Sequence, residues 1–301
     1  MEKITLTTKP SKDYELLDSG SKEKLERYGA YLLARPDPQA LWEKKLSVAE
    51  WEAADGLYVR SGREGDHRNM RGPAKGGGWK VEPELPKEWE VALSGLTFLI
   101  KPTSFKHTGL FPEQGPNWEW IKDTVLRAGR PVSVLNLFGY TGGATLAAAG
   151  AGASVTHVDA SKTAVAWARE NAMRSGLADK PVRWIVEDVL AFVRREIKRG
   201  NRYDLVVMDP PAFGHGPKDE LWKIEDHLLP LIKLCGELLT EKPLGIQMSG
   251  YAAGYSPLAF AYNLEPFTKQ YGGVVECGDL TIEESGSGRL LPCGIFARWR
   301  V

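Results

Sequence analysis

Apolar runs alternate with helical patterns along the chain from about residue 131 to the C-terminus. The short apolar runs predict strands at residues 132–138, 154–159, 182–187, 204–208 and 244–249. The segments between them place apolar residues at helical spacing, and the predicted helices include 161–175, which opens on a serine suited to cap it, and 190–199. Strands that alternate with helices in this way predict βαβ units and a mostly parallel sheet.

Two further apolar runs, 274–282 and 290–300, are joined by a polar segment at 283–289. We expect them to form two more strands, with an antiparallel C-terminal strand at the edge of the otherwise parallel sheet. The predicted fold class is therefore α/β, with a seven-stranded sheet.

The first 89 residues show a different pattern, in which short alternating segments such as 30–33 and 56–59 are separated by turn-forming residues. We expect a small β-rich domain at 1–89 and the α/β domain at 90–301. Residues 60–80 hold six basic residues against two acidic ones, with three glycines at 76–78. This basic loop is either a solvated surface loop or a flap that contacts phosphates.

Composition narrows the function mainly by exclusion. The 39 lysines and arginines balance 39 aspartates and glutamates among 301 residues, so no overall basic charge indicates a nucleic-acid partner. The cysteines Cys235, Cys277 and Cys293 form no C-x-x-C pair, which argues against a disulfide framework and a zinc site. Neither the N-terminus nor any later run is apolar enough for a signal or membrane-spanning segment, so we expect a soluble, cytoplasmic protein.

A glycine-containing turn follows the first strand of the α/β region. The sequence N-L-F-G-Y-T-G-G runs from that strand into an alanine-rich helix. Ligands of open α/β sheets bind beyond the carboxyl ends of the strands, and glycine lets a ligand approach the backbone. The turn does not match G-x-G-x-x-G, which disfavours a dinucleotide pyrophosphate site. The candidate binding residues are Asn136, Phe138, Gly139, Tyr140, Thr141 and Gly142.

Acidic residues stand at the ends of the next two predicted strands. Asp159, followed by Ala160 and Ser161, lies about 20 positions after the glycine turn. A carboxylate there can accept hydrogen bonds from ribose hydroxyls, although an ordinary acid at a helix N-terminus is the structural alternative. Asp188, followed by Val189, can accept from an adenine amino group or cap the next helix, and both roles are compatible.

The fourth strand of the α/β region runs directly into an Asp-Pro-Pro sequence. The two prolines make the turn rigid and remove two backbone donors, which suits a site that must aim a carboxylate or a carbonyl. Phe213 can stack on a flat ring, as enzymes that handle bases require. A plain strand-ending turn is the alternative. We predict that the catalytic residues are Asp209, Pro210, Pro211 and Phe213.

Together these segments resemble the class I S-adenosylmethionine-dependent methyltransferases, and more closely the group related to bacterial ribosomal large-subunit RNA methyltransferases. The similarity runs from about residue 88 to the C-terminus and includes K-H-T-G-L-F-P-E-Q at 106–114. It implies a Rossmann-like fold, S-adenosylmethionine as cofactor and an RNA partner. The sequence leaves open whether the protein is a monomer or a homodimer.

The resemblance also implies roles for the candidate residues. Residues 138–142 would hold the methionine part of the cofactor, Asp159 the ribose and Asp188 the adenine. Residues 209–213 would hold the acceptor, with Asp209 also beside the cofactor. Thr108 and Gln114 are expected near the cofactor or the acceptor, or else as packing residues of a loop between domains.

One departure from the resembling group bears on the reaction. Members that methylate carbon 5 of cytosine place a nucleophilic cysteine in a serine-cysteine-serine segment after the fifth strand. The corresponding stretch here, Q-M-S-G-Y-A-A at 247–253, has no cysteine, and Cys235, Cys277 and Cys293 fit buried structural positions better. We therefore expect methylation of a base nitrogen, which needs only deprotonation or a free lone pair.

Three alternatives to RNA methylation remain at this stage. A methyltransferase acting on a small molecule or a protein is supported by the net charge of zero. A dinucleotide-dependent oxidoreductase is disfavoured by the missing G-x-G-x-x-G and by the Asp-Pro-Pro turn, which hydride transfer does not need. A non-catalytic RNA-binding module with a methyltransferase fold is the third.

Overall fold

The structure of the protein is a computed structural model that describes residues 1–59, 78–103, 106–251 and 254–301. Most of the basic loop predicted at 60–80 lies outside the described residues, as do residues 252–253 of the segment after the fifth strand. The described strands are β1 (Glu2–Lys3), β2 (Leu6–Thr8), β3 (Tyr14–Gly20), β4 (Glu23–Tyr28), β5 (Tyr31–Pro36), β6 (Gly56–Val59), β7 (Gly78–Val81), β8 (Trp89–Leu93), β9 (Leu96–Ile100), β10 (Ser133–Leu137), β11 (Ser154–Asp159), β12 (Val182–Val186), β13 (Leu205–Met208), β14 (Phe213–His215), β15 (Leu221–Lys223), β16 (Gly245–Gly250), β17 (Val274–Glu283) and β18 (Leu290–Arg300).

Eight α-helices lie within the described residues, together with a 3₁₀ turn at Pro112–Gln114. Within these ranges, no helix has both the length and the apolar content needed to cross a bilayer. The helices are α1 (Val48–Glu52), α2 (Gly115–Arg127), α3 (Gly143–Gly150), α4 (Lys162–Arg174), α5 (Val189–Lys198), α6 (Ile224–Glu237), α7 (Pro257–Ala261) and α8 (Glu265–Tyr271).

The described residues form two compact units. The larger unit contains Met1–Leu6, Gln114–Leu280 and Gly294–Val301, and the smaller unit contains Thr7–Glu113 and Thr281–Cys293. These units divide at positions other than the predicted boundary between residues 89 and 90. That domain boundary stays a prediction. The β8–β9 hairpin falls in the smaller unit, where the Trp89 indole N–H donates to the Tyr28 carbonyl at 2.9 Å.

The main sheet has the order β1-β17-β18-β16-β13-β10-β11-β12, with β2 also paired to β17. Strands β10, β11, β12, β13 and β16 run parallel, and β18 is antiparallel to β16. The predicted α/β class, parallel sheet and antiparallel C-terminal strand are confirmed. The sheet has nine strands rather than seven, because residues 2–8 add two strands too short to show an alternating pattern.

The predicted elements of the parallel region match the structure within one or two residues. Helices α4 and α5 begin where their side-chain caps stand: Ser161 accepts from the Ala164 N–H at 3.2 Å, and Asp188 accepts from the Ala191 N–H at 2.8 Å. The parallel strands read as continuous apolar runs because helices cover them. One continuous core packs β10, β13 and β16 against α5, α6 and α8.

The smaller unit is β-rich, as predicted. Its five-stranded sheet has the order β3-β4-β5-β6-β7, and β8 and β9 form a separate two-stranded hairpin. A small apolar cluster forms part of its interior, and a buried group of charged residues lies on β4 and β5. The cluster consists of Leu25, Ala34, Trp51, Ala54 and Leu57.

Candidate active site

The glycine turn (residues 138–142) and the acceptor corner (residues 209–213) begin at neighbouring positions of the sheet. They follow β10 and β13, whose last residues, Leu137 and Met208, are paired in parallel register. The Asp209 N–H donates to the Leu137 carbonyl at 3.4 Å. The two segments that the sequence predicted to carry cofactor and acceptor chemistry therefore leave the same edge of the sheet side by side.

The backbone of the glycine turn is strained. Phe138 and Tyr140 have φ angles of 56° and 46°, and Gly142 has 93°. Non-glycine residues at positive φ cost about 1–3 kcal/mol each and persist where the surroundings hold them. Here the Gly139 N–H donates to the Val158 carbonyl at 3.0 Å, and the Gly142 N–H donates to the Gly139 carbonyl at 2.9 Å. The first bond ties the turn to β11, and the second closes the turn on itself.

Two glycines let the turn lie close to buried rings. A Cβ on Gly139 would be 2.4 Å from Cε1 of His157, and one on Gly143 would be 2.3 Å from the Trp118 ring. Neither clash can be relieved by a flexible chain end, because both partners are rings buried in the larger unit. Glycine at these positions therefore lets the turn pack directly against the His157 and Trp118 rings.

The residues under the turn are polar but fully buried. The Asn136 amide donates to the Thr145 hydroxyl at 2.8 Å, and that hydroxyl lies 2.9 Å from Nδ1 of His157. Burial lowers the pKa of His157 to about 3, so this imidazole is neutral at physiological pH. The Asn136 amide is thus engaged inside the core, and its role in cofactor binding stays a prediction.

Asp159 connects the end of β11 to the glycine turn. One carboxylate oxygen accepts the Tyr140 N–H at 2.9 Å, and the other accepts the Ser161 N–H at 2.8 Å. Burial raises the pKa of Asp159, while these two backbone donors act in the opposite direction. Each oxygen retains acceptor capacity for a further donor. Ala160 is half-buried and Ser161 is exposed at the start of α4.

Asp188 caps α5, which is the structural role that the sequence suggested beside adenine binding. Its Oδ1 accepts the Ala191 N–H, and Val189, the first helical residue, is buried in the core. The Glu187 N–H donates to the Asp159 carbonyl at 3.1 Å, so the ends of β11 and β12 also lie together. The adenine role of Asp188 and Val189 stays a prediction.

At the acceptor corner, Asp209 lies within hydrogen-bonding distance of Gln114. The Gln114 Nε2 donates to Oδ2 of Asp209 at 3.4 Å, and the Asn117 Nδ2 donates to Oε1 of Gln114 at 2.8 Å. Gln114 and Asn117 are both buried at the start of α2. The structure therefore places Gln114 beside Asp209, and its role at the cofactor or the acceptor stays a prediction.

The remainder of the corner is held from β15. The Trp222 indole N–H donates to the Pro211 carbonyl at 2.6 Å, and the Trp222 ring meets the Phe138 ring edge-on at 4.8 Å between centroids. Pro210 is buried and Pro211 is exposed. Phe213 is 57% exposed, and its ring meets the His215 ring in a T-shaped arrangement at 5.2 Å between centroids.

Two groups of predictions concern residues outside the glycine turn and the acceptor corner. Thr108 belongs to the smaller unit, where it is buried and its carbonyl accepts the Lys101 N–H at 3.0 Å; its role near the cofactor stays a prediction. The three cysteines are free thiols. Burial raises the pKa of Cys235, Cys277 and Cys293, which disfavours the thiolate that a nucleophile needs.

Sequence reasoning missed three residues that shape the site: Asn117, His157 and Trp222. A signal existed for Asn117, because its i, i+3 spacing from Gln114 at a helix start puts both side chains on one face. No local pattern indicated Trp222, which reaches Pro211 from eleven residues away in sequence.

Comparisons with known proteins agree with this geometry. A family model for S-adenosylmethionine-dependent methyltransferases matches residues 28–240. The crystal structure of a SAM-dependent methyltransferase from Agrobacterium tumefaciens is 41% identical, with a TM-score of 0.90 over 99% of this chain and 95% of that one.

Two similar curated proteins are both named ribosomal RNA large subunit methyltransferase K/L. The one from Pseudoalteromonas atlantica is 32% identical over 66% of this chain and 25% of its own length. The one from Syntrophotalea carbinolica is 34% identical over 51% of this chain and 21% of its own length. The aligned region thus spans about a quarter of these relatives. By the family model and by the Agrobacterium structure, this chain belongs to the S-adenosylmethionine-dependent methyltransferase family.

Proposed function

We propose that this chain transfers a methyl group from S-adenosylmethionine to a base nitrogen of RNA, with ribosomal RNA as the substrate. The observation that carries the proposal is that the glycine turn and the acceptor corner begin side by side at one edge of the sheet. There the Asp209 N–H donates to the Leu137 carbonyl. A methyl donor held at the first and an acceptor atom held at the second would lie close enough for direct transfer.

The residues around the glycine turn fit the cofactor. Asp159 keeps one oxygen on the Tyr140 N–H and the other on the Ser161 N–H, and both oxygens can still accept from ribose hydroxyls. Residues 138–142 would hold the methionine part, and Asp188 and Val189 would lie at the adenine. When bound, S-adenosylmethionine supplies a methyl group made electrophilic by the sulfonium charge.

The acceptor corner supplies orientation. Pro210 and Pro211 limit its backbone freedom, and the exposed ring of Phe213 offers a stacking face for a base. The Asp209 carboxylate, held by Gln114, can accept a hydrogen bond from an N–H of the acceptor and so point the nitrogen lone pair along the transfer line. No protein nucleophile is needed, in keeping with the buried thiols.

The RNA substrate is supported by the printed names of the curated relatives, which are ribosomal RNA methyltransferases. A ribosomal substrate would place the protein in the cytoplasm. The balance of 39 basic and 39 acidic residues supports a second candidate, a small-molecule or protein acceptor, because nothing in the overall charge attracts phosphate.

Nucleoside analysis by mass spectrometry tests the substrate. Ribosomal RNA from cells that lack this protein should miss one methylated nucleoside, and purified protein with S-adenosylmethionine should restore it. An unchanged nucleoside profile would reject the RNA substrate. Binding of the same RNA should weaken with salt as a straight line of log affinity against log salt, whereas a small neutral acceptor would give almost no slope.

Calorimetry tests the cofactor separately from the substrate. We expect saturable binding of S-adenosylmethionine and none of NAD. Cofactor binding without transfer to any RNA, protein or small molecule would favour the non-catalytic RNA-binding module.

A further inference from the structure

Asn117 and Gln114 form a pair at the start of α2. Gln114 stands at the N-cap and Asn117 three positions later, so both side chains lie on one face. The Asn117 Nδ2 donates to the Gln114 Oε1 at 2.8 Å, and both side chains are more than nine-tenths buried. The pair is therefore shielded from water, which would otherwise compete for these bonds.

Asn117, Gln114 and Asp209 are linked by successive hydrogen bonds, and the Asp209 carboxylate determines which group donates in each. An ionised Asp209 carboxylate only accepts hydrogen bonds, so Gln114 must present its NH₂ group to it, as the 3.4 Å Nε2-to-Oδ2 contact shows. The Gln114 Oε1 then faces away from Asp209 and requires a donor. Asn117 supplies that donor, and it thereby stabilises the orientation of the Gln114 amide that Asp209 requires.

Asn117 makes this bond at a cost. Among the residues that the structure describes, its buried Oδ1 has no hydrogen-bond partner. A buried polar atom without a partner is unfavourable, and a packing role at this position would be met better by an apolar side chain. Residues that break such a rule are expected at functional sites.

We propose that Asn117 is a positioning residue: it orients the Gln114 amide, which in turn holds the Asp209 carboxylate toward the acceptor. Its effect on turnover rests on the proposed function, whereas its effect on the Gln114 amide does not. Asn117 donates to Gln114 rather than to Asp209, so it would act through Gln114.

Asn117→Leu tests the effect on turnover, because it keeps the number and branching of the side-chain heavy atoms and removes the donor. With RNA from cells that lack the protein, we expect kcat to fall at least about tenfold, as small misplacements at an active site do. The Kd for S-adenosylmethionine should stay within about twofold, because the glycine turn is untouched. A wild-type kcat in the folded variant would overturn the proposal.

Two further variants sharpen the test. Asn117→Asp, which preserves the shape if Leu is poorly tolerated, replaces the donor with an acceptor and should lower kcat at least as much when ionised. In a Gln114→Leu background, Asn117→Leu should cause no additional loss, since the path to Asp209 is already broken. Additive losses would overturn the proposal.

Asn201→Leu is the matched control. Asn201 donates to the Glu196 carboxylate at 2.7 Å, within the same unit but as part of a buried network around Tyr203. Its loss should lower the thermal midpoint without changing kcat. If Asn201→Leu lowered kcat as much as Asn117→Leu, the effect would be one of general stability and the proposal would fail.

An NMR measurement separates this proposal from the proposed function. The side-chain NH₂ signals of Gln114, assigned by their loss in Gln114→Glu, should exchange slowly in the free protein and faster in both Asn117→Leu and Asp209→Ala. Unchanged exchange in Asn117→Leu would overturn the positioning role. Failure of the wild-type protein to methylate RNA would reject the proposed substrate, yet leave this measurement as the test of Asn117.

Discussion

Glu26 in the smaller unit and His157 in the larger unit are both fully buried polar residues, but their surroundings differ. Glu26 accepts two bonds from Arg35 at 2.8 Å, and the hydroxyls of Tyr14 and Tyr28 donate to it at 2.9 and 3.1 Å. His157 has Thr145 at Nδ1, but among the described residues its Nε2 has no partner. The charged group is thus fully satisfied, whereas the neutral one is not.

Other buried polar atoms of the larger unit resemble His157 Nε2 in this respect. In the larger unit, Gln247 Nε2 and Asn117 Oδ1 also lack partners within the described part of the chain. His157 lies under the glycine turn, and Asn117 is linked to Asp209 by hydrogen bonds through Gln114. A satisfied network rigidifies a core, whereas incomplete satisfaction is tolerated where function requires particular polar groups. We infer that Glu26 serves stability and that His157 and Asn117 serve the site.

The largest effect is expected for Asp209→Ala. Methyl transfer should fall about 100- to 10,000-fold, the range for losing an acid–base or orienting group, while cofactor affinity stays within a few-fold. Activity assays and calorimetry on the same preparation measure both. If the variant lost activity only because it unfolded, as a collapse in its free energy of unfolding would show, the functional role of Asp209 would be wrong.

Glu26→Gln should have the opposite outcome. Removing the charge leaves Arg35 and Lys24 buried beside a neutral side chain, and breaking such a buried cluster costs about 3–5 kcal/mol of stability. Urea unfolding measures this. Glu15→Gln is the control, since the Glu15–Arg27 pair is about a quarter exposed and should contribute at most about 1 kcal/mol. Equal losses in the two variants would remove the contrast.

Asp159→Ala should weaken cofactor binding itself. Each hydrogen bond to a charged group contributes about 1.5–3 kcal/mol, so S-adenosylmethionine should bind roughly 10- to 100-fold more weakly. Calorimetry beside Asp209→Ala separates the cofactor role from the acceptor role. An equal loss of cofactor affinity in both variants would show that the two carboxylates are not divided in this way.

Acidification should reveal the buried neutral His157. Its folded pKa of about 3 lies below the unfolded value of about 6.5, so the unfolded chain takes up a proton that the folded one does not. Stability is therefore complete above about pH 6.5 and falls by at most about 1.4 kcal/mol per pH unit toward pH 3. Unfolding at several pH values measures the slope. His157→Asn should reduce it, and an unchanged slope in that variant would contradict the assignment to His157.

The smallest effect is expected when all three cysteines are replaced by serine. Their thiols are held neutral by burial, so turnover should be retained even if the thermal midpoint falls. A covalent adduct trapped with RNA containing 5-fluorocytosine would contradict this and restore carbon-5 chemistry.

Much of the parallel sheet could be predicted because its signals are local. Strands β11 and β18 begin and end where the apolar runs do, and α4 and α5 begin at residues whose side chains accept the first free N–H groups. The two N-terminal strands β1 and β2 could not be predicted, because two or three residues show no period. The units of the structure also divide elsewhere than the predicted domain boundary, since hairpin β8–β9 belongs with the smaller unit through contacts distant in sequence.

The candidate site shows the same division. The sequence pattern alone placed Asp159 and Asp209 at the ends of their strands, because an apolar run followed by turn-forming residues is a local signal. Trp222 and Asn117 could be assigned only from the structure, since their contacts with Pro211 and Gln114 depend on how a hairpin and a helix start are directed in space.

The amino-acid sequence by itself determined the α/β class, the cofactor and the two carboxylates at the edge of the sheet. Tertiary structure alone decided which buried polar groups are satisfied, how Phe138 and Tyr140 are held at positive φ, and which side chains orient Asp209. The physical reason is range: periodicity, caps and prolines act between residues near in sequence, whereas desolvation and hydrogen-bond partners depend on residues that folding brings together.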